Sequence, residues 1–195
     1  MALAALSRWP NLLWPNFSAF YGLAFCAGAF FPRRIRWWMP LATLMVSDLA
    51  LNLYYRFSFG TPLFSWSELV KYAAFLLIVL LGTRFSPRSS FAGLLSGGIL
   101  GAVLFYLITN TASWLQLPAY TKDLAGWIRA LTRGTDGYPT TLQFFFNTLL
   151  SGGLFTGLFA GACKWSAAAE SPREKEPVAD PAPADTEESP EPGEA

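Results

Sequence analysis

The side chain with the clearest chemical potential in this sequence is Asp48, an acidic residue inside an apolar stretch. At a rise of about 1.5 Å per residue, it lies about 16 Å into a predicted span that begins at Trp37, near the middle of a bilayer. A carboxylate at that depth is costly and indicates either a functional site or a structural ion pair. We expect Asp48 to bind a substrate, a cation or a proton, or to pair with a base such as Lys71.

Three asparagines are predicted at a similar depth, in the outer halves of their segments. Asn52 follows Asp48 by one helical turn, Asn110 ends a later segment, and Asn147 lies about 10 Å into the last one. Polar groups that converge inside an apolar shell are typical of a small-molecule pocket, although hydrogen bonds between helices explain such amides equally well. We predict a substrate-binding pocket of Asp48, Asn52, Asn110 and Asn147, with aromatic walls from Tyr106, Trp114 and Phe144–Phe146.

Other chemistry is poorly represented in the composition. The sequence has no His, and it contains no phosphate loop, dinucleotide fingerprint or metal-ligand motif. Its two cysteines, Cys26 and Cys163, both lie in apolar segments and are expected to be free. We therefore predict no catalytic residue, no metal, no cofactor and no enzymatic activity. Without a nucleotide site, the chain is not expected to energise transport through ATP by itself.

The elements that carry these residues are apolar enough for a membrane. Hydrophobic residues make up 53% of the 195 positions and charged residues only 14%, against about 25% charged in soluble domains. A spanning helix needs about 20 mostly apolar residues. We predict an all-α, polytopic transmembrane helical bundle with spans at about Phe17–Phe31, Trp37–Tyr55, Phe64–Thr83, Ser90–Thr109 and Thr140–Cys163.

The N-terminal residues allow two interpretations. Met1–Ser7 is apolar but too short to span a bilayer. The favoured interpretation is the outer end of a first helix that is truncated or missing, which makes a six-helix layout with both ends inside. The alternative is a short helix that lies in the membrane interface.

Charge placement predicts the orientation and two regions. Residues 1–165 form the transmembrane helical domain with a net charge of +8, and residues 166–195 form an acidic, Pro/Glu/Ala-rich tail with a net charge of −7. Basic residues concentrate in alternate loops, at Arg33, Arg34, Arg36, Arg84, Arg88 and Lys164. The positive-inside rule makes those loops and the tail cytoplasmic. The tail is predicted to be disordered, and Arg33–Arg36 is a topology signal rather than a nucleic-acid site.

Two further patterns concern packing. Gly93, Gly97 and Gly101 repeat every four residues, as do Gly153, Gly157 and Gly161, and such stripes let helices approach closely in lipid. They could also bind another membrane subunit, which gives the alternative function, a structural or assembly protein. Residues 123–132 have helical apolar spacing, which predicts an amphipathic helix that either caps a cavity at the outer surface or packs on the protein's own loops.

Several of these motifs resemble a known family. The runs LSRWPNLLWPNFSAFYGLAFCAGAFF, SDLAL, LITNTASWL and FFFNTLLSGGLF resemble uncharacterised bacterial inner-membrane proteins described as transport proteins. The layout is also similar to the S components of energy-coupling-factor importers, which are six-helix proteins with an outward-facing pocket. These resemblances imply an inner-membrane protein that binds an unknown small solute, with separate energising membrane subunits as partners.

Overall fold

The computed structural model describes residues 7–8 and 14–169. Within those residues the fold is all-α, with six helices and no strand. The helices are α1 (Phe20–Phe30), α2 (Trp38–Phe59), α3 (Trp66–Gly82), α4 (Phe91–Gln116), α5 (Leu124–Thr132) and α6 (Thr141–Ala169). The predicted all-α class is confirmed, and each of the five predicted apolar segments contains one helix.

Two of the helices are long and apolar enough to cross a membrane, judged by length and composition. They are α4, with 26 residues, and α6, with 29. Helix α4 continues seven residues past the predicted end of its segment, and α6 continues to Ala169, inside the predicted tail. The rest of the tail and most of the N-terminal stretch, with the predictions made for them, lie outside the described residues.

Helix ends follow local sequence signals. Ser90 begins α4, where its hydroxyl accepts a hydrogen bond from Gly93 N at 3.1 Å. Asp123 begins α5 in the same way and accepts from Gly126 N at 2.7 Å. Helix α2 ends at Gly60, which adopts a left-handed conformation with φ of 69°. These are the residue types that best satisfy the unpaired backbone groups at helix termini.

Helix α1 forms the core of the bundle. Every residue from Phe20 to Ala29 is buried, and the helix packs mainly against α3 and α6. The contact with α3 depends on paired glycines, because a Cβ added to Gly28 would lie 2.9 Å from the Cα of Gly82. Helix α1 is short, at 11 residues, but its sequence of small and aromatic residues suits a position surrounded by other helices.

Helix α2 is attached to the bundle less extensively than its length suggests. Only four of its 22 residues are buried, Pro40, Leu44, Ser47 and Asp48. Two of those four are polar, so apolar packing alone does not account for its position. The attachment of α2 therefore depends on what Ser47 and Asp48 contact.

The glycine stripes differ from the predicted packing. In the first stripe, Gly97 and Gly101 do contact neighbours: a Cβ on Gly97 would lie 2.5 Å from the ring of Phe25. In the second stripe, a Cβ on Gly153, Gly157 or Gly161 would meet side chains only at 3.6 to 4.0 Å, which is ordinary contact.

The closest approach of α4 and α6 instead uses the positions beside each stripe. A Cβ on Gly152 would lie 2.7 Å from that of Ala102, and Gly98 abuts Thr156 in the same interface. The prediction for the α6 stripe was therefore wrong, because the rotation of the helix about its axis directs Gly152 toward its neighbour.

Candidate functional site: a charge cluster beside a cavity

A cluster of four charged side chains joins α2, α3 and the N-terminal segment. Asp48 Oδ1 pairs with the guanidinium of Arg8, and Asp48 Oδ2 lies 2.9 Å from Lys71 Nζ. Lys71 Nζ also lies 2.5 Å from Glu68 Oε2. The Asp48 side chain is only 3% exposed, so water and salt screen its pairs little. These four residues, the charge cluster, fasten α2 to the rest of the bundle.

One of the roles expected for Asp48 is thereby confirmed, since Lys71 is its ion-pair partner. The second partner, Arg8, was not expected. It lies far from Asp48 in the sequence, and the apolar run before it favours a helix end over a position in the site. The feature of the sequence that could have identified Arg8 as a partner of Asp48 is its position as an isolated arginine directly after that apolar run.

Two further contacts hold Arg8 in place. Its Nη1 donates a hydrogen bond to Ser47 Oγ at 3.2 Å, and its guanidinium carbon lies 5.5 Å from the centre of the Phe20 ring. A cation over an aromatic face is attracted by the ring quadrupole. The side chain is thus fixed by a carboxylate, a hydroxyl and a ring, and this is the rigid arrangement that a binding site requires.

A cavity of about 460 Å³ opens beside the charge cluster. This volume falls in the range typical of small-molecule pockets, about 300 to 1,000 Å³. Both cations of the cluster, Arg8 and Lys71, belong to its lining, whereas the described residues of the lining include no Asp or Glu. The cations therefore form the charged part of the wall, and their carboxylate partners lie behind them.

Three aromatic side chains form a continuous part of the same wall. The rings of Tyr21 and Phe75 are stacked with centroids 5.7 Å apart, and the Phe105 ring lies 5.0 Å from each of them. All three residues line the cavity. Their mutual packing fixes the ring orientations, with the Phe105 ring inclined by 65° to Tyr21 and by 47° to Phe75, and forms an apolar surface in the same cavity as the two cations.

The loop Trp14–Ser18 supplies another side of the cavity. Asn147 of α6 donates a hydrogen bond from Nδ2 to the carbonyl of Pro15 at 2.9 Å. Near the other end of the loop, Ala19 N donates to Ser7 Oγ at 3.0 Å. The first bond holds the loop against α6, and the second holds Ser7 against the start of α1. Because Pro15 and Ser7 both line the cavity, the two bonds contribute to its shape.

The four predicted site residues are not brought together. Asn52 donates to the carbonyl of Leu63 at 3.1 Å and ties α2 to the loop that follows it. Asn110 donates to Tyr106 in its own helix at 2.8 Å, and Asn147 holds the loop at Pro15. None of the predicted four is in the lining of the cavity, although Asp48 pairs with both of its cations.

The aromatic wall also differs from the expected set, Tyr106, Trp114 and Phe144–Phe146, none of which lines this cavity. Helical depth was inferred from residue number, whereas facing direction depends on how each helix is rotated in the bundle. Residues at one depth can therefore face different neighbours.

Helix α5 forms a platform on α4 and α6. Trp127 Nε1 donates to Thr111 Oγ1 at 3.0 Å, and the Tyr106 hydroxyl donates to the carbonyl of Leu131. Leu124 and Ile128 remain exposed on the other face. The predicted amphipathic helix is confirmed, and it packs on the protein itself, but it does not line the cavity.

The carboxyl group of Asp123, which caps the start of α5, has a lowered pKa. Hydrogen bonds from the Gly126 backbone N–H and the Thr121 hydroxyl lower the pKa of the Asp123 carboxyl below its ordinary value. Charge-assisted bonds to a carboxylate favour its ionised form.

The described residues contain two free thiols, Cys26 and Cys163, and no group of three or more His, Cys, Asp or Glu side chains placed to hold a metal ion. The groups that the cavity presents are two fixed cations and three packed aromatic rings, which recognise a ligand by charge and by apolar contact.

The fold and site define a helical protein with at least two helices able to cross a membrane and a cavity beside a buried charge cluster. The chain belongs to a family of unknown function, DUF6580, whose family model matches residues 1–174. No curated protein and no solved structure gives a significant match.

Proposed function

We propose that this protein is a multi-pass inner-membrane protein that binds a small solute in an outward-facing cavity, as the substrate-binding part of a transport system. The observation that carries the proposal is the cavity beside the charge cluster, lined by Arg8, Lys71 and three packed aromatic rings. Fixed polar groups within an otherwise apolar wall are the usual composition of a ligand site.

The distribution of exposed apolar side chains supports a membrane location with more than two spans. Large apolar residues are exposed on α2, α3, α4 and α6, including Val46, Leu77, Leu100, Phe146 and Leu158. Water-soluble proteins rarely expose so large an apolar area. In this proposal, α2, α3, α4 and α6 cross the bilayer, and the short α1, with 11 residues, lies buried among them.

The charges of the loops support an outward-facing cavity. The basic loop after α3 and the end of α6 lie together, since Lys164 Nζ donates to the carbonyl of Pro87 at 3.0 Å. Arg33, Arg34 and Arg36 follow α1 at the same end. The cavity lies toward the start of α1, at the opposite end. The positive-inside rule then makes the basic loops and the C-terminal tail cytoplasmic and the cavity external.

The energy for transport would come from separate membrane subunits, as the similarity to S components implies. The alternative function is an assembly subunit that binds through glycine stripes. In the α4 stripe, Gly97 and Gly101 meet Phe25 and Ile78 of this chain, whereas the α6 stripe of Gly153, Gly157 and Gly161 makes only ordinary contacts within the chain and is the part of the surface that supports this alternative.

Native mass spectrometry of the detergent-purified protein tests the proposal, because it detects bound solutes and partner chains together. We expect a small molecule bound to the wild type and lost in Phe105→Trp, whose larger ring narrows the cavity. Arg129→Gln is the matched control, since Arg129 pairs with Asp136 away from the cavity and should leave the solute bound. A stoichiometric partner chain with no solute would favour the assembly function instead.

A further inference from the structure

The charged side chains in the described part of the cavity wall are all positive. Arg8 and Lys71 line it, and the described part of the lining has no acidic residue. Asp48 is buried and pairs with both cations, Glu68 pairs with Lys71, and neither carboxylate belongs to the lining. A ligand that enters the cavity therefore meets the positive members of the cluster first.

Among the described residues, the two cations have fewer partners than hydrogen-bond donors. A guanidinium has five N–H donors and an ammonium three. Arg8 donates to Ser47 and pairs with Asp48, whereas Lys71 donates to Glu68 and lies 2.9 Å from Asp48 Oδ2 as an ion pair without a hydrogen bond. A carboxylate is the natural acceptor for the remainder, because charge-assisted bonds are stronger than neutral ones.

The charge of the cluster limits the charge of the ligand. With two cations and two carboxylates, the charge cluster is neutral by itself. A bound monoanion would bring the net charge of the site to −1, and its carboxylate would accept hydrogen bonds from the two cations. A dianion would bring the net charge to −2, which is more costly in a poorly solvated site. A cationic ligand would meet Arg8 and Lys71 directly and be repelled.

We propose that the solute is an organic monoanion with an apolar body, whose carboxylate binds Arg8 and Lys71 while its body contacts Tyr21, Phe75 and Phe105. This inference rests on the proposed function and names its substrate class. The aromatic wall adjoins the cations within one cavity of about 460 Å³, which accommodates a ring with a short acidic substituent.

The test uses three probes of nearly the same shape, benzoate, benzamide and benzylammonium. Binding of each labelled probe to the full-length protein in nanodiscs is measured by equilibrium dialysis, with empty nanodiscs subtracted. We expect benzoate to bind roughly 10- to 100-fold more tightly than benzamide, the value of one charge-assisted interaction, and benzylammonium not to bind at the cavity. This comparison needs no substitution, so a misfolded variant cannot obscure it.

Substitutions then locate the site. Lys71→Gln is expected to weaken benzoate binding at least about tenfold, Lys71→Arg to retain most of it, and Phe105→Trp to abolish it by narrowing the cavity. Arg129→Gln is the matched control and should bind benzoate as the wild type does.

The failure of this inference is distinguishable from the failure of the proposed function. If benzamide or benzylammonium binds as tightly as benzoate and Phe105→Trp abolishes that binding, the cavity binds solutes but the monoanion assignment is wrong. If no probe binds while native mass spectrometry finds a neutral or cationic solute lost in Phe105→Trp, the assignment is wrong in the same way. If no probe binds and no solute is found, both proposals fall.

Discussion

The two ends of helix α1 have different surroundings and pack against their neighbours in different ways. At its N-terminal end, Phe20 and Tyr21 lie beside four charged side chains and an open cavity. At its C-terminal end, Gly28 meets Gly82 with no side chain between the backbones. The N-terminal end therefore lies beside charged side chains and a cavity, whereas the C-terminal end lies directly against α3. We expect ligand binding at the N-terminal end and a rigid helix contact at the C-terminal end.

The largest expected effect comes from leaving the charge cluster unbalanced. Asp48→Ala would leave Arg8 and Lys71 without their shared partner, and breaking a buried ion pair costs about 3–5 kcal/mol. Because two of the four buried residues of α2 are Ser47 and Asp48, much of the loss should appear as detachment of α2. Thermal unfolding in detergent measures the total, and hydrogen exchange in α2 locates it.

The control for this comparison is Ser47→Ala, which removes a neighbouring buried acceptor of the same Arg8. It should cost only about 1 kcal/mol, the value of one hydrogen bond. Equal losses in the two variants would mean that the ion pairs of Asp48 contribute no more than the single hydrogen bond to Ser47. Under the proposed transport function, Asp48→Ala and Asp48→Asn are both expected to reduce solute uptake.

The opposite end of α1 should be sensitive to added volume. Gly28→Ala places a methyl group 2.9 Å from the Cα of Gly82, and overpacking of this kind costs about 1–3 kcal/mol. Gly157→Ala is the matched control, because its new Cβ would meet Phe91 only at 3.8 Å. That control should be neutral or gain up to about 1 kcal/mol from helix propensity. Two equally destabilised variants would contradict the assignment of the close contact to Gly28.

The loop at the cavity opening provides a smaller, local effect. Asn147→Ala removes the bond to the Pro15 carbonyl and should cost about 0.5–1.5 kcal/mol, with faster hydrogen exchange at residues 14–18. Asn110→Ala loses only a bond within its own helix, so exchange of the loop should not change. Faster loop exchange in both variants would show that Asn147 has no special role.

The smallest effect concerns the Asp123 cap, outside the proposed spans. The pKa of the Asp123 carboxyl in the folded protein is below its ordinary value. The ionised cap therefore stabilises the folded state fully above the ordinary pKa, and this stabilisation is lost as the pH falls through the folded pKa. We expect the helicity of α5 to decrease on acidification in the wild type. Asp123→Asn retains a capping side chain without a charge, so hydrogen exchange in α5 should lose that part of its pH dependence. If hydrogen exchange in α5 depended on pH in Asp123→Asn as it does in the wild type, the ionised Asp123 cap would not be the cause of that dependence.

Local sequence signals predicted the helices well because they act within one segment. Runs of apolar residues placed five helices, and the spacing of residues 123–132 placed α5, which begins after Asp123 as its capping side chain requires. The pairing of Asp48 with Lys71 was also predictable, since a buried carboxylate needs a cation and Lys71 lies in the following segment. The family match adds no residue roles to these inferences.

The make-up of the cavity was decided only by tertiary structure. Arg8 reaches Asp48 because α1 and the loop Trp14–Ser18 fold back beside α2 and α3, and nothing near position 8 encodes that distance. Asn52, Asn110 and Asn147 were placed at one depth, but helix rotation directs each to a separate acceptor. Hydrophobicity along a segment determines that a helix forms and how deep its residues lie. The direction of each side chain follows from close packing with neighbours, as at Gly28 and Gly152, which are distant in sequence from the atoms they meet.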